Sequence, residues 1–111
     1  MALEITSTTS PRTATIALKG ELDAESAVGF RQEVDRLVNQ DRNRLVLVLD
    51  GLTFMASAGF RVLIFAKQKN ADLEIFLVRP QEPVLASLEK TGFDRQVTVT
   101  DTDVADEAAA V

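Results

Sequence analysis

The sequence predicts an α/β domain built on a mixed β-sheet, mostly parallel with an N-terminal hairpin, and carrying about four α-helices. Three observations lead there. Leu45–Leu49 is apolar at every position, the pattern of a strand in a sheet covered on both faces. Downstream of it, segments of strand length alternate with helical stretches, which implies parallel pairs joined by right-handed crossovers. Upstream, two alternating segments flank a turn that contains Pro11, which reads as an antiparallel hairpin. The chain has 111 residues, so one domain spanning 1–111 is expected, large enough to bury about two thirds of its unfolded surface.

The elements follow in order. Leu3–Ser7 alternates as a short strand, and Thr8–Arg12 is the turn. Thr13–Gly20 alternates again, with Ala14, Ile16 and Leu18 on one face. Asp23 is placed as the N-cap of a helix from about Ala24 to Gln40, whose apolar positions Ala27, Phe30, Val34, Leu37 and Val38 recur at spacings of three and four. The polar cluster 40–44 leads into the Leu45–Leu49 strand, which a turn at Asp50-Gly51 is expected to end. Ser57 to about Asn70 reads as the second helix, with Phe60, Leu63, Ile64 and Ala66 toward the core. A strand over 72–78 follows, then a junction in which Pro83 marks a helix start. Val84, Leu85, Leu88 and Phe93 suit that third helix, which Thr91-Gly92 ends. A last strand at 96–100 leads to an acidic C-terminal helix at about 102–110.

Composition removes several function classes. The chain has no cysteine and no histidine, so it lacks thiolate chemistry, disulfides, the commonest general base and the commonest metal ligand. Hydrolases, oxidoreductases and zinc proteins are disfavoured on that ground. No metal and no cofactor are expected. The net charge is −5, against binding to nucleic acid or to an anionic membrane, both of which need a basic surface. The N-terminus carries no signal segment, and the apolar runs are too short to span a bilayer. A cytoplasmic location is the expectation.

The most informative stretch is the junction Phe54-Met55-Ala56-Ser57-Ala58-Gly59-Phe60, where a strand passes into a helix N-terminus. Ser57 is read as an N-cap, its hydroxyl turned toward the first amides of the helix. As a nucleophile it would need a base: there is no histidine, and Lys67 and Lys69 lie more than two turns along. Asp101, Asp103, Asp106 and Glu107 lack the spacing of a calcium loop. Gly51, Gly59 and Gly92 form neither a Walker nor a dinucleotide motif, and Gly59 is read as permitting close packing.

Three motifs carry a family resemblance. Gly20-Glu21-Leu22-Asp23, Leu52-Thr53-Phe54-Met55-Ala56-Ser57-Ala58-Gly59-Phe60 and Leu88-Glu89-Lys90-Thr91-Gly92-Phe93-Asp94 resemble the STAS domain, and more closely the bacterial anti-sigma factor antagonists. The resemblance implies a mixed sheet with helices on one side and a partner-switching role in transcription regulation. In that role a protein partner, an anti-sigma factor or related serine kinase, is bound until phosphorylation of the antagonist breaks the complex, and a phosphatase can reverse it. Carried over by position, the implied contact residues are Glu21, Asp23, Ala56, Ser57, Ala58, Gly59 and Phe60, on a monomer or weak dimer.

The junction departs from the family pattern. The usual Asp falls on Ala56, the acceptor position on Ala58, and a polar strand residue on Val48. A phosphate carries about −1.5 to −2 charges, and Ala58 has no hydroxyl to receive it. Ser57 could be phosphorylated instead, although a capping role would aim its hydroxyl at the helix amides. The expected function is therefore a non-catalytic partner-binding module that cannot be switched at position 58. The alternative is a STAS-like sensory or scaffold module that binds a small anionic ligand or self-assembles.

Overall fold

The structure is a computed structural model that describes residues 3–102. Its elements run β1 (Glu4–Thr9), β2 (Thr13–Leu22), α1 (Ala27–Leu37), β3 (Arg44–Met55), α2 (Ser57–Lys69), β4 (Glu74–Val78), α3 (Glu82–Thr91), a 3₁₀ turn (Phe93–Gln96) and β5 (Thr98–Thr100). The strands form one sheet in the order β1-β2-β3-β4-β5. β1 pairs antiparallel with β2, in register from Glu4↔Lys19 to Thr9↔Ala14, and every later pair is parallel. The mixed sheet with an N-terminal hairpin is thus as expected. Among the described residues there are three α-helices instead of about four, because the acidic helix expected at about 102–110 lies essentially outside them.

Each crossover steps to the next strand in one direction, and right-handed crossovers then put all three helices on one face. That face holds the core: Ile16 and Leu18 of β2, Leu45, Leu47 and Leu49 of β3, and Ile75 and Leu77 of β4, packed under Phe30, Phe60, Leu63 and Leu88. Val46, Val48, Phe76 and Val78 have the opposite parity. Val46 and Val78 are buried but stand outside the core cluster, and the Arg44 guanidinium lies 5.6 Å from the Phe76 ring centroid. The apolar run of β3 therefore reflects side-by-side burial on its second face. No helix among the described residues covers that face, which corrects the two-sided sheet the run suggested.

The turn expected at Asp50-Gly51 is absent. β3 continues through it for 12 residues, because β2 also extends to Leu22 and pairs with it as far as Leu22↔Met55. Two register shifts, between Ala17 and Lys19 and between Gly20 and Glu21, absorb the mismatch. Gly20, at φ 104°, supplies the left-handed residue that such a bulge uses. Gly51 has a packing role, since a Cβ there would lie 2.7 Å from Lys19 Cγ.

Phe93, expected in the third helix, begins the 3₁₀ turn instead, after Gly92 closes α3 in the left-handed conformation at φ 76°.

Candidate functional site

The long β2–β3 pairing brings the two candidate stretches together at the C-terminal ends of the parallel strands. The last backbone link is Ala56 N–H donating to the Leu22 carbonyl at 2.8 Å. Asp23 follows one strand and Ser57 follows the other, so their segments leave the sheet side by side. The end of a parallel sheet is where α/β folds place their binding residues. This strand order has no reversal to open a crevice there, so the site is a surface.

On the β2 side, Asp23 and Ser26 cap each other. The Ser26 N–H and hydroxyl both donate to Asp23 Oδ1 at 2.8 Å, and the Asp23 N–H donates to Ser26 Oγ at 2.9 Å. This reciprocal arrangement is a capping box with Ser in the return position. Asp23 is thus a cap as expected, but of the turn at residues 24–26; the α-helix proper begins at Ala27 and ends at Leu37. Donation from Ser26, backbone first and side chain second, holds the Asp23 carboxyl below the usual aspartate range.

On the β3 side the expectation for Ser57 is corrected. The N-cap of α2 is Ala56, extended at φ −74° and ψ 164°, with no side-chain cap hydrogen bond. Ser57 is the first helical residue, and it is exposed. Its hydroxyl caps nothing, because the strand releases the chain one residue earlier, at the Ala56 link to Leu22. Ala58 is half-buried against the core, and Gly59 and Phe60 are buried. A Cβ on Gly59 would lie 2.7 Å from Leu22 Cδ2 and 2.9 Å from Met55 Cγ, so glycine lets the first turn of α2 sit on the strand ends. Of the candidate residues, Glu21, Asp23, Ala56, Ser57 and Ala58 retain surface. Gly59 and Phe60 support the site from below.

The structure adds three exposed apolar residues to this surface. Phe54, beside Glu21 in the register, is 45% exposed. Val28 on α1 is 60% exposed and Phe65 on α2 is 47% exposed. These two edge a groove of about 200 Å³ between the helices, together with Ala24, Ala27, Arg31, Ala58, Arg61 and Val62. Val28 lies off the Ala27, Phe30, Val34 and Leu37 stripe and Phe65 off the Phe60, Leu63 and Ala66 stripe, so helical spacing sets them apart from the core, while the groove between them is visible only in the packing.

Among the described residues, no group of three or more carboxylates could hold a metal ion, and no helix is long and apolar enough to cross a membrane.

The family model of the STAS domain matches residues 4–106. Several solved structures share the fold. An anti-sigma factor antagonist from Mycobacterium paratuberculosis aligns with a TM-score of 0.80 at 19% identity, covering 98% of this chain and 92% of that one. A putative anti-sigma factor antagonist from Thermotoga maritima aligns at 0.77 and 25% identity, covering 96% and 92%. The anti-sigma factor antagonist SpoIIAA in its unphosphorylated form aligns at 0.74 and 19% identity, covering 98% and 93%; the Bacillus protein is also known in a phosphorylated form.

Proposed function

Because the chain belongs to the STAS domain family, we propose that it is a non-catalytic partner-binding module of the anti-sigma factor antagonist kind, engaging a kinase-type anti-sigma factor in a partner-switching pathway. The observation that carries this reading is the pairing of the Asp23 turn with the Ser57 junction at one end of the sheet, tied by the Ala56–Leu22 hydrogen bond. The Asp23–Ser26 hydrogen bonds hold one segment and the Ala56 backbone bond to Leu22 anchors the other, and segments ordered before docking lose less entropy on binding.

The switch in this reading acts through Ser57. Ala58 has no hydroxyl and packs against the core, so it offers a kinase nothing. A capping role would have turned the Ser57 hydroxyl inward, but Ala56 holds the cap position. Ser57 presents an exposed hydroxyl at the first residue of α2. A phosphate there gains from the helix amides in the free protein and is penalised when a partner desolvates it. The chain is thus switchable at 57 although it lacks a hydroxyl at 58. The test is incubation with the kinase-type anti-sigma factor and ATP, followed by mass spectrometry and size-exclusion chromatography. A complex that forms without ATP and releases a chain phosphorylated on Ser57 supports the reading. Failure of the unphosphorylated chain to bind any such kinase refutes it.

A further inference from the structure

The exposed stripe of α2 runs Ser57, Arg61, Phe65, at spacings of four, and faces Ala24 of the preceding turn and the exposed Val28 and Arg31 of α1 across a floor of Ala27, Ala58 and Val62. Its chemistry is unlike that of the rest of the molecule. The chain carries a net −5, yet α2 has no Asp or Glu between Ser57 and Lys69 and bears Arg61, Lys67 and Lys69. Arg61 makes no ion pair among the described residues. The partner of Arg31 is Asp35, 3.7 Å away with both side chains about half-exposed or more, a geometry that holds a guanidinium only weakly. Asp35 is shared with Lys69, at 3.6 Å. Two arginines thus flank an apolar groove whose rim is a half-exposed phenylalanine and an exposed valine.

We propose that this groove receives an amphipathic helix of the protein partner, its apolar side chains between Val28 and Phe65 and its flanking carboxylates on Arg31 and Arg61. The small floor residues allow a helix to approach closely, and spaced apolar anchors in a groove are how helices are recognised. Aromatic and arginine side chains that become desolvated together carry most of the energy in such contacts. Charge selects the occupant: a basic helix would meet two like charges, which costs affinity and slows encounter. The inference rests on the partner-binding reading above and adds the partner's chemistry to it.

The test titrates the ¹⁵N-labelled full chain with two synthetic helical peptides that share leucines at spacings of three and four and differ in flanking Glu or Lys. The Glu-flanked peptide is expected to shift the amides of Val28, Arg61 and Phe65 saturably and to bind at least about tenfold more tightly than the Lys-flanked one. Arg31→Glu with Arg61→Glu should invert that preference, and Phe65→Ala should weaken both peptides. These side chains are exposed, so the variants should keep the parent spectrum elsewhere. Equal binding of the two peptides, no binding at millimolar concentration, or shifts confined to the open sheet face would overturn the proposal. So would dilution-dependent shifts at the same residues without peptide, which would assign the groove to a second copy. The two readings fail separately. If the kinase-type partner binds the parent and Phe65→Ala equally, the groove is not its site while the module reading stands. If only the peptide binds, the groove stands and the partner assignment falls.

Discussion

Gly59 is seated directly on Leu22: a Cβ at position 59 would lie 2.7 Å from Leu22 Cδ2, closer than real Cβ atoms come. Leu22 is fully buried and ends β2, and Gly59 belongs to the first turn of α2. The contact seats the first turn of α2 on the end of β2, the strand that runs into Asp23.

Gly59→Ala should therefore destabilise the protein. Helix propensity alone would favour alanine by up to about 1 kcal/mol, but the clash with two core side chains costs more, about 1–3 kcal/mol for overpacking. The expected net loss is about 1–2 kcal/mol, read as a lower urea midpoint at unchanged slope. A stabilised variant would show that Leu22 and Met55 yield freely.

Ala56→Asp should stabilise α2 by about 1 kcal/mol, because position 56 has the extended backbone of an N-cap and lacks only the accepting oxygen. Ser57→Ala should change stability by less than about 0.5 kcal/mol, as for a surface position without a special role. Thermal or urea denaturation of the two variants checks both. A larger loss in Ser57→Ala would restore its role as a cap.

Gly92→Ala isolates a backbone effect. Gly92 is left-handed at φ 76°, and a Cβ added there would meet nothing within 4 Å, so only the conformational penalty acts, about 1–2 kcal/mol. Equilibrium unfolding should show that loss with α3 still formed; no loss would mean that the turn into Phe93 can change its path.

The Asp23–Ser26 box gives a pH dependence. The folded-state pKa of Asp23 lies below its ordinary value, so its contribution to stability is present above the ordinary aspartate pKa and is lost as pH falls through the lower folded one. Ser26→Ala removes the side-chain donor and leaves the backbone one. The Asp23 carboxyl should then titrate closer to the ordinary value by NMR, and the loss of stability on acidification should shrink. An unmoved titration curve would mean that the Ser26 backbone amide alone sets it.

Sequence pattern and structure part company at identifiable places. Alternation located β1 and β2, and the helical spacings of Phe30, Val34 and Leu37 and of Phe60, Leu63 and Ala66 located α1 and α2, because burial on one face imposes those periods. Asp50-Gly51 misled because Asp-Gly is a strong local turn signal, whereas the pairing that keeps β3 extended comes from β2, far earlier in the chain. Side-chain chemistry favours Ser57 over Ala56 as the cap. The true boundary is set by a backbone bond, Ala56 N–H to the Leu22 carbonyl. The groove was illegible for another reason: Val28 and Phe65 fall off the core stripes, on the same faces as Arg31 and Arg61, but only the packing of α1 against α2 turns those two faces toward each other.

A phosphate on Ser57 should act on folding and binding in opposite directions. At the first turn of α2 it favours the helix by about 0.3–1 kcal/mol, and Arg61 one turn along adds about 0.2–0.5 kcal/mol as an i, i+4 partner. The phosphorylated chain should melt slightly higher than the parent, and Arg61→Ala should remove part of that gain. A phosphorylated chain that melts lower would mean that the hydroxyl faces a contact that excludes charge.

A partner-binding surface at the Asp23–Ser57 end, switched through Ser57, stands or falls on one calorimetric titration. The kinase-type anti-sigma factor is titrated with the parent chain and with the chain phosphorylated on Ser57. The expected result is a complex with the parent and binding at least about tenfold weaker after phosphorylation, a loss of about 1.4 kcal/mol or more. Equal affinity of the two forms would refute the switch.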